Sequence, residues 1–81
     1  MWFVYVLRSE KNGRFYTGST NDLKRRLAEH QRGKTPSTKH IRPLRLVHSE
    51  TYDTRFEARS RERFLKSGRG HEELAKLLVG Q

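Results

Sequence analysis

Apolar and β-branched residues group into three short runs of the chain, and each run predicts a β-strand. They cover residues 2–8, 14–19 and 44–52. Runs of this length and composition are typical of half-buried strands. Asn12-Gly13, between the first two runs, is a strong hairpin signal because both residues tolerate positive φ. We therefore expect an antiparallel hairpin that is joined later by a third strand.

The predicted hairpin brings two tyrosines to one face of the sheet. With a loop of even length, odd positions of the first strand share a face with even positions of the second, so Tyr5 and Tyr16 lie together. A loop of Asn12-Gly13 alone would leave them diagonally apart. A four-residue loop over residues 9–12 would place them directly opposite. The pattern does not choose between these registers, although a catalytic role favours the second.

Capping signals and helical periodicity predict three helices. The first begins at Asn21 or Asp22 and runs to about residue 32, where Gly33 ends it. The second begins at Thr54 and runs to about residue 67. It is broken by two glycines, Gly68 and Gly70. A short third helix follows and carries Leu74, Leu77 and Leu78.

The order β-β-α-β-α-α indicates an α+β protein with a small three-stranded antiparallel sheet and about three helices. Residues 32–43 are predicted to form a loop, and residues 1–81 a single domain, since a chain of this length supports one small core. The apolar run at residues 1–7 is too short for a membrane span and lacks a basic leader. We expect neither secretion nor membrane insertion.

The first predicted helix turns two functional side chains toward the sheet. Leu23 and Leu27 form its apolar stripe. At about 100° per residue, His30 falls about 20° from Leu23 and Arg26 about 60°. Arg25 points nearly the opposite way, so Arg26 is the arginine expected to reach inward.

The charge of the chain favours a polyanionic partner. Eighteen Lys and Arg against nine Asp and Glu give a net charge of +9, most simply explained by nucleic acid. Attraction to anionic lipid, a role as an adaptor for an acidic protein, or charge that only maintains solubility remain alternatives, and none of these requires catalysis. The absence of cysteine excludes disulfides, thiolate metal sites and a cysteine nucleophile, and agrees with a cytoplasmic location.

Glu62 is the candidate metal ligand. It lies between Ala58 and Leu65 on one predicted helix face, where a carboxylate must be paired, coordinated or partly exposed. An ion pair with Arg59 or Lys66 is the alternative. Glu57 is predicted to complement the helix dipole. The other glutamates are predicted to be solvated surface residues: Glu50, Glu72 and Glu73. The other histidines are predicted to be structural or at the surface: His40, His48 and His71.

These side chains suit phosphodiester hydrolysis. One carboxylate with waters and a substrate oxygen suffices for Mg²⁺ or Mn²⁺, and Arg26 offers a fork that matches phosphate. Tyr5 or Tyr16 would take a proton from water only if its pKa were lowered by cations or by metal, and Arg26 and His30 are the cations expected nearby. Otherwise the tyrosines are ordinary strand aromatics, Arg26 contacts a nucleic-acid backbone and His30 caps its helix.

The motifs Phe3-Val4-Tyr5 and Tyr16-Thr17-Gly18, followed by Arg26, His30 and Glu62, resemble the signature of the GIY-YIG nuclease superfamily, in its small stand-alone bacterial branch. The resemblance implies hydrolysis with one metal ion bound by Glu62, and water activation by Tyr5 with support from Tyr16 and His30. Lys66 resembles a basic position typical of this branch. The chain departs from the family pattern at Phe3, where the name motif has Gly, and in having no Asn after Asn21.

We therefore expect a metal-dependent nuclease that acts on nucleic acid, with DNA as the expected substrate and DNA repair as the expected process. A non-catalytic DNA- or RNA-binding domain on the same scaffold is the alternative. The run from Lys24 to Arg45 contains eight Lys or Arg and one acid, Glu29, and is expected to follow a phosphate backbone. A protein partner is expected to supply targeting. The predicted nucleic-acid contacts are Lys24, Arg25, Arg32, Lys34, Lys39, Arg42 and Lys66.

Overall fold

The computed structural model of the chain describes residues 1–78. Its strands are β1 (Trp2–Ser9), β2 (Phe15–Thr20) and β3 (Leu44–Tyr52). Its helices are α1 (Leu23–Gln31), α2 (Arg55–Leu65) and α3 (Gly68–Leu77). A 3-10 turn at Lys39–Ile41 interrupts the predicted loop. The α+β class, the element order and the antiparallel sheet with three helices are confirmed.

The sheet has the order β2-β1-β3, so β1 is central and β2 has one free edge. Each face of β1 packs against its own helical layer. Val4 and Val6 form a buried cluster with α2 and α3, through Ala58, Leu65 and Leu74. On the other face, Tyr5 and Leu7 lie against α1, through Leu23 and Leu27. The alternation of side chains along one strand therefore divides the core into two parts.

The hairpin has a register that differs from both expected ones. Tyr5 pairs with Gly18 and Tyr16 with Leu7, so the tyrosines share a face, as predicted, but lie on a diagonal. The reason is a turn organised by Ser9, whose Oγ accepts hydrogen bonds from the backbone nitrogens of Lys11 and Asn12, both 3.1 Å long. These bonds support a loop of residues 10–13, which is longer than Asn12-Gly13 alone. The loop is closed by Ser9 N, which donates to Arg14 O at 2.9 Å.

The helix ends follow the predicted caps, with one correction. Asp22 caps α1 by accepting from Arg25 N at 3.1 Å, and Thr54 caps α2 by accepting from Glu57 N at 3.2 Å. The expectation that Gly68 and Gly70 separate the last two helices is wrong, because both lie in the first turn of α3. A β-carbon at Gly70 would collide with the backbone of α2, so this glycine allows the helices to pack closely.

Glu50 is mostly buried and is not a solvated surface residue, which corrects the sequence expectation, whereas Glu73 is partly exposed but paired. The Arg61 guanidinium bonds both carboxylates, at 2.9 Å to Glu50 and 2.8 Å to Glu73. Glu50 also accepts from Tyr52 Oη, at 2.7 Å, and lies 2.7 Å from His48 Nε2. Burial alone would raise the pKa of Glu50, but its hydrogen bonds, above all from Arg61, outweigh burial and lower the pKa to about 2. This network ties α2 and α3 to β3.

None of the helices described within residues 1–78 has the length and apolar character that crossing a membrane requires.

Candidate active site

The candidate active site is a cleft of about 360 Å³ at the free edge of β2. Its walls come from both faces of the sheet, because α1 covers one face and α2 the other. The α1 side contributes Arg25, Arg26 and Glu29. The α2 side contributes Arg55, Arg59 and Glu62. Between them lie Tyr5, Tyr16, Gly18 and Ser19 of the sheet.

Gly18 allows Tyr5 to reach this edge from the central strand. A β-carbon built at Gly18 would lie 2.5 Å from Tyr5 Oη and 2.6 Å from Tyr5 Cζ. The phenol therefore crosses β2 in the space that a side chain at position 18 would fill. Ser19, the next residue, points to the opposite face by strand alternation, toward α2 and Glu62. One edge strand thus brings the two helical layers into contact with the same cleft.

His30 is held between Tyr5 and Thr38, behind the Tyr5 phenol that lines the cleft. Its Nε2 lies 3.0 Å from Tyr5 Oη, and its Nδ1 lies 2.8 Å from Thr38 Oγ1. His30 and Thr38 are both fully buried. Burial, followed by the charge of Arg26, lowers the pKa of His30 below its ordinary value, so the neutral ring is favoured. His30 therefore belongs to a buried hydrogen-bond chain and does not only cap its helix.

The expectation that Arg26 and His30 lower the pKa of Tyr5 is wrong. Burial is the largest influence and raises the pKa of Tyr5 above 10.0, although Arg26 acts in the opposite direction. The Tyr5 hydroxyl is therefore protonated near neutral pH. Tyr16 lies beside the same histidine, with ring centroids 5.1 Å apart. Both tyrosines thus contact His30, as their shared face requires.

Arg26 reaches the cleft as its position on the helix predicts, and its guanidinium is paired. Its Nη1 donates to Glu29 Oε1 at 3.0 Å, and Arg25 Nε lies 4.0 Å from the other oxygen of the same carboxylate. Contrary to the helical-wheel expectation, Arg25 also lines the cleft, with a long side chain that is 61% exposed.

The Glu62 carboxylate faces the cleft from α2 and has two bonding partners. Its Oε1 accepts from Ser19 Oγ at 2.6 Å, and its Oε2 accepts from Lys66 Nζ at 2.7 Å. Burial alone would raise the pKa of Glu62, but the bonds from Lys66 and Ser19 outweigh it and lower the pKa. The carboxylate is thus ionised at neutral pH. The ion pair with Lys66 that the sequence allowed is present.

These residues fit a single hard cation. Each Glu62 oxygen accepts one bond, and a carboxylate offers about four lone-pair sites, so each oxygen retains one for a metal. Lys66 is about half exposed and can withdraw into solvent. Within residues 1–78 no three His, Cys, Asp or Glu side chains form a group that could enclose an ion. Water and substrate oxygens would complete such a site, as Mg²⁺ prefers.

The basic residues predicted to bind nucleic acid lie on several surfaces. Arg25 lines the cleft, and Lys66 lies beside Glu62, with Nζ 6.0 Å from the Tyr16 ring centroid. Lys24, Arg32 and Lys34 line a groove on the outer side of α1.

Lys39 and Arg42 line a third surface, near Lys11. Arg42 donates to the carbonyl oxygens of Lys39, at 3.0 Å, and Gln31, at 3.3 Å, so it holds the end of α1 in place. The cleft and the outer groove of α1 share Arg25, whereas Lys39 and Arg42 line a separate surface. Contact of each with nucleic acid stays a prediction.

Several residues of the site were not identified from the sequence. Ser19 and Thr38 bond Glu62 and His30, and Glu29 pairs with Arg26. Isolated hydroxyl residues give no sequence signal of this kind, since their partners are distant in the chain. The spacing of Arg55, Arg59 and Glu62 at i, i+4 and i+7 could have shown that both arginines share the helix face of Glu62.

The cleft brings together the side chains through which the sequence resembles the GIY-YIG family, which are Tyr5, Tyr16, Arg26 and Glu62, with His30 buried behind Tyr5. The family model described as the GIY-YIG catalytic domain matches residues 1–73, and the chain belongs to this family. GIY-YIG domains form a nuclease family whose members act on nucleic acid and generally use a divalent metal.

The relatives of this chain are small UPF0213 proteins. It is 41% identical over 66 residues to a UPF0213 protein of Staphylococcus epidermidis, covering 80% of this chain and 79% of that protein. A UPF0213 protein of Haloquadratum walsbyi is also 41% identical over 66 residues, covering 80% of this chain and 73% of the relative. The solution NMR structure of a UPF0213 protein from Bacillus halodurans is similar, with a TM-score of 0.59, 36% identity, and coverage of 95% of this chain and 85% of that one. The name of these relatives specifies no activity.

Proposed function

We propose that this protein is a divalent-metal-dependent nuclease that hydrolyses phosphodiester bonds in DNA, with Tyr5 assisting the activation of water. The observation that carries the proposal is the convergence at the β2 edge. Glu62 arrives from one face of the sheet, and Arg26 and the Tyr5–His30 pair arrive from the other, in a single cleft. Ion pairs and aromatic packing alone do not require this assembly of residues from both faces.

The hydrogen bonds define a path for the proton of the attacking water. The proposed path uses one tautomer of His30. If Thr38 Oγ1 gives its proton to the Thr35 carbonyl oxygen, 3.5 Å away, then His30 Nδ1 donates to Thr38 and Nε2 accepts from Tyr5. Because burial raises the pKa of Tyr5 and lowers that of His30, Tyr5 does not ionise by itself. We expect it to pass its proton to Nε2 as it takes one from water.

The cations of the cleft are suited to the charge of the phosphate. Arg26 and Arg59 line opposite walls and offer forked donors that match phosphate oxygens. Glu62 would hold the metal ion, Mg²⁺ or Mn²⁺, which supplies Lewis-acid stabilisation of developing negative charge on oxygen. Ser19 orients the carboxylate through its 2.6 Å bond. Tyr16 packs beside His30 and limits the positions that the ring can adopt.

One observation favours a second candidate, a DNA- or RNA-binding domain without catalysis. Lys66 neutralises Glu62 through a 2.7 Å ion pair, and this arrangement is complete without a metal. In that case the cleft would bind phosphate through its arginines and would not cut the chain. For either candidate we propose a cytoplasmic location, a protein partner that supplies targeting, and DNA repair as the process. The absence of cysteine agrees with the location.

The deciding experiment uses Glu62→Gln, which keeps the shape of the side chain and removes its charge. Cleavage of branched, single-stranded and duplex DNA should require Mg²⁺ or Mn²⁺ in the wild type and should be lost in the variant, while DNA binding without metal persists. Metal should raise the melting temperature of the wild type and not that of Glu62→Gln. Glu72→Gln, an exposed change outside the cleft, is the control. Metal-induced stabilisation that survives Glu62→Gln would place the ion elsewhere and refute the proposed site.

A further inference from the structure

The end of the cleft away from Lys66 contains an aromatic ring and a cation that the nuclease chemistry does not use. Trp2, the only tryptophan in the chain, lines the cleft together with Asn21 and Arg55. Arg55 Cζ lies 5.6 Å from the centroid of the Trp2 ring, in a cation–π arrangement. One side of the indole packs on the core cluster of Val4, and Trp2 is only partly buried. The core cluster thus holds the ring in place, and the ring is accessible from the cleft.

The arginines at this end differ from those on α1 in their pairing. Arg25 and Arg26 share Glu29. Arg55 and Arg59, by contrast, have no carboxylate within 4.0 Å among the residues that the structure describes. Both are exposed and line the cleft from α2. Their charges are therefore available to an anionic ligand that extends along this helix.

The distance between the ring and the candidate metal ligand suits a polynucleotide. Arg55 and Glu62 are seven residues apart on α2, which corresponds to about 10 Å along the helix axis. Stacked nucleotides of one strand rise about 3.4 Å each, and an extended strand rises more. A phosphate held at Glu62 would thus place a base one to three nucleotides away beside Trp2 and Arg55. Aromatic rings and guanidinium planes are the usual platforms for unstacked bases.

We propose that Trp2 and Arg55 form a subsite that stacks an unpaired nucleobase of the DNA strand bound in the cleft. The inference rests on the proposed nuclease function and narrows its substrate to DNA that is single-stranded beside the cleaved bond. A base inside a duplex has both faces covered by its neighbours, so it cannot use this platform without being flipped out. A phosphate alone would engage the charge of Arg55 and would gain nothing from the indole.

The test measures binding without metal, so that no cleavage is needed. Trp2 is the only indole, and its fluorescence therefore reports on this subsite directly. A short oligodeoxythymidine strand should quench it. A strand of the same length with abasic sites carries the same phosphates, and it should bind and quench on the order of tenfold more weakly, as expected for the loss of one stacked base. A blunt duplex of equal length should also be weaker.

Variants separate stacking from charge. Arg55→Lys keeps the charge but removes the guanidinium plane, and Trp2→Phe keeps only a smaller ring. Both variants should reduce the preference for the normal strand over the abasic strand. The anisotropy of a labelled strand measures this preference. Trp2→Leu should abolish that preference. Phe56→Ala is the matched control, because Phe56 is 79% exposed, adjoins Arg55 in the chain and does not line the cleft. It should leave the preference unchanged.

The outcomes distinguish this inference from the nuclease proposal. Equal binding of normal and abasic strands by the wild type would overturn the subsite even if Glu62-dependent cleavage is found. A base preference that Trp2→Leu and Arg55→Lys remove would support the subsite even if no substrate is cut. A base preference as large as that of the wild type in both Trp2→Phe and Arg55→Lys would place the stacking elsewhere. It would overturn the inference without requiring that Trp2→Leu folds.

Discussion

The phenol ring of Tyr5 lies across the backbone of Gly18, in space that the β-carbon of any other residue would occupy. Such a carbon would lie 2.5 Å from Tyr5 Oη. Because position 18 has no side chain, a tyrosine of the central strand reaches the free edge of the sheet. Glu62 approaches the same edge from the other face. The close approach of Tyr5 to Gly18 therefore allows side chains from both helical layers to line one cleft.

Replacing this glycine should displace Tyr5 while leaving the fold in place. Gly18→Ala is expected to cost about 1–3 kcal/mol of unfolding free energy, as overpacking does, and to reduce cleavage about a hundredfold because Tyr5 Oη moves. Gly68→Ala is the control, since a β-carbon there would meet nothing within 4 Å. Urea melts and initial cleavage rates measure both effects. Full activity in Gly18→Ala would show that the position of Tyr5 is not critical.

Removing single hydroxyl groups should separate the roles of the tyrosines. Tyr5→Phe takes away the bond to His30 Nε2 and the proposed proton path, so cleavage should be lost while metal-free DNA binding persists. Tyr16→Phe keeps the ring beside His30 and should impair cleavage less. Rates and binding constants of the two variants give the comparison. If Tyr5→Phe cuts DNA at the wild-type rate, Tyr5 does not transfer the proton.

The network around Glu50 should make the fold sensitive to acid. The pKa of Glu50 is lowered from 4.5 to about 2 in the folded protein, so the unfolded state binds the proton more readily. The stabilisation is complete above pH 4.5 and is lost as the pH falls toward about 2. Glu50→Gln should therefore weaken the fall in stability over this window. Glu72→Gln, at an exposed position outside the network, should not. Urea melts at several pH values would refute the prediction if both variants keep the wild-type slope.

Salt dependence should show which cations contact DNA. If Arg59 binds a phosphate in the cleft, Arg59→Gln should make the dependence of binding on salt less steep. The slope of the logarithm of the DNA-binding constant against the logarithm of the salt concentration should fall in magnitude by about 0.7 for a single strand and about 0.9 for a duplex. Lys34→Gln removes an exposed charge from the outer groove of α1. It should change the slope less. An effect of Lys34→Gln as large as that of Arg59→Gln would indicate that DNA lies along α1, as the basic run in the sequence suggested.

Local chemistry determined much of the architecture from the sequence alone. The β3 bounds and the caps at Asp22 and Thr54 follow from residue patterns and short-range hydrogen bonds. The shared face of the tyrosines follows from strand alternation, which depends only on the parity of the loop. The turn at Ser9 is different, because it depends on bonds to several loop nitrogens and on the Ser9 hydroxyl bond to the Ile41 carbonyl oxygen at 2.6 Å. That contact spans 32 positions, so the pattern could not select the register.

The sequence by itself determined the family motif, the α+β class and the identity of the candidate residues, since these depend on composition, periodicity and order. Only the tertiary structure decided how they meet. It placed Tyr5 across Gly18, gave Glu62 the partners Ser19 and Lys66, and buried His30 against Thr38. It also raised the pKa of Tyr5, contrary to the expectation from nearby positive charge. The physical reason is that burial and long-range pairing depend on how elements pack in three dimensions, which local patterns do not specify.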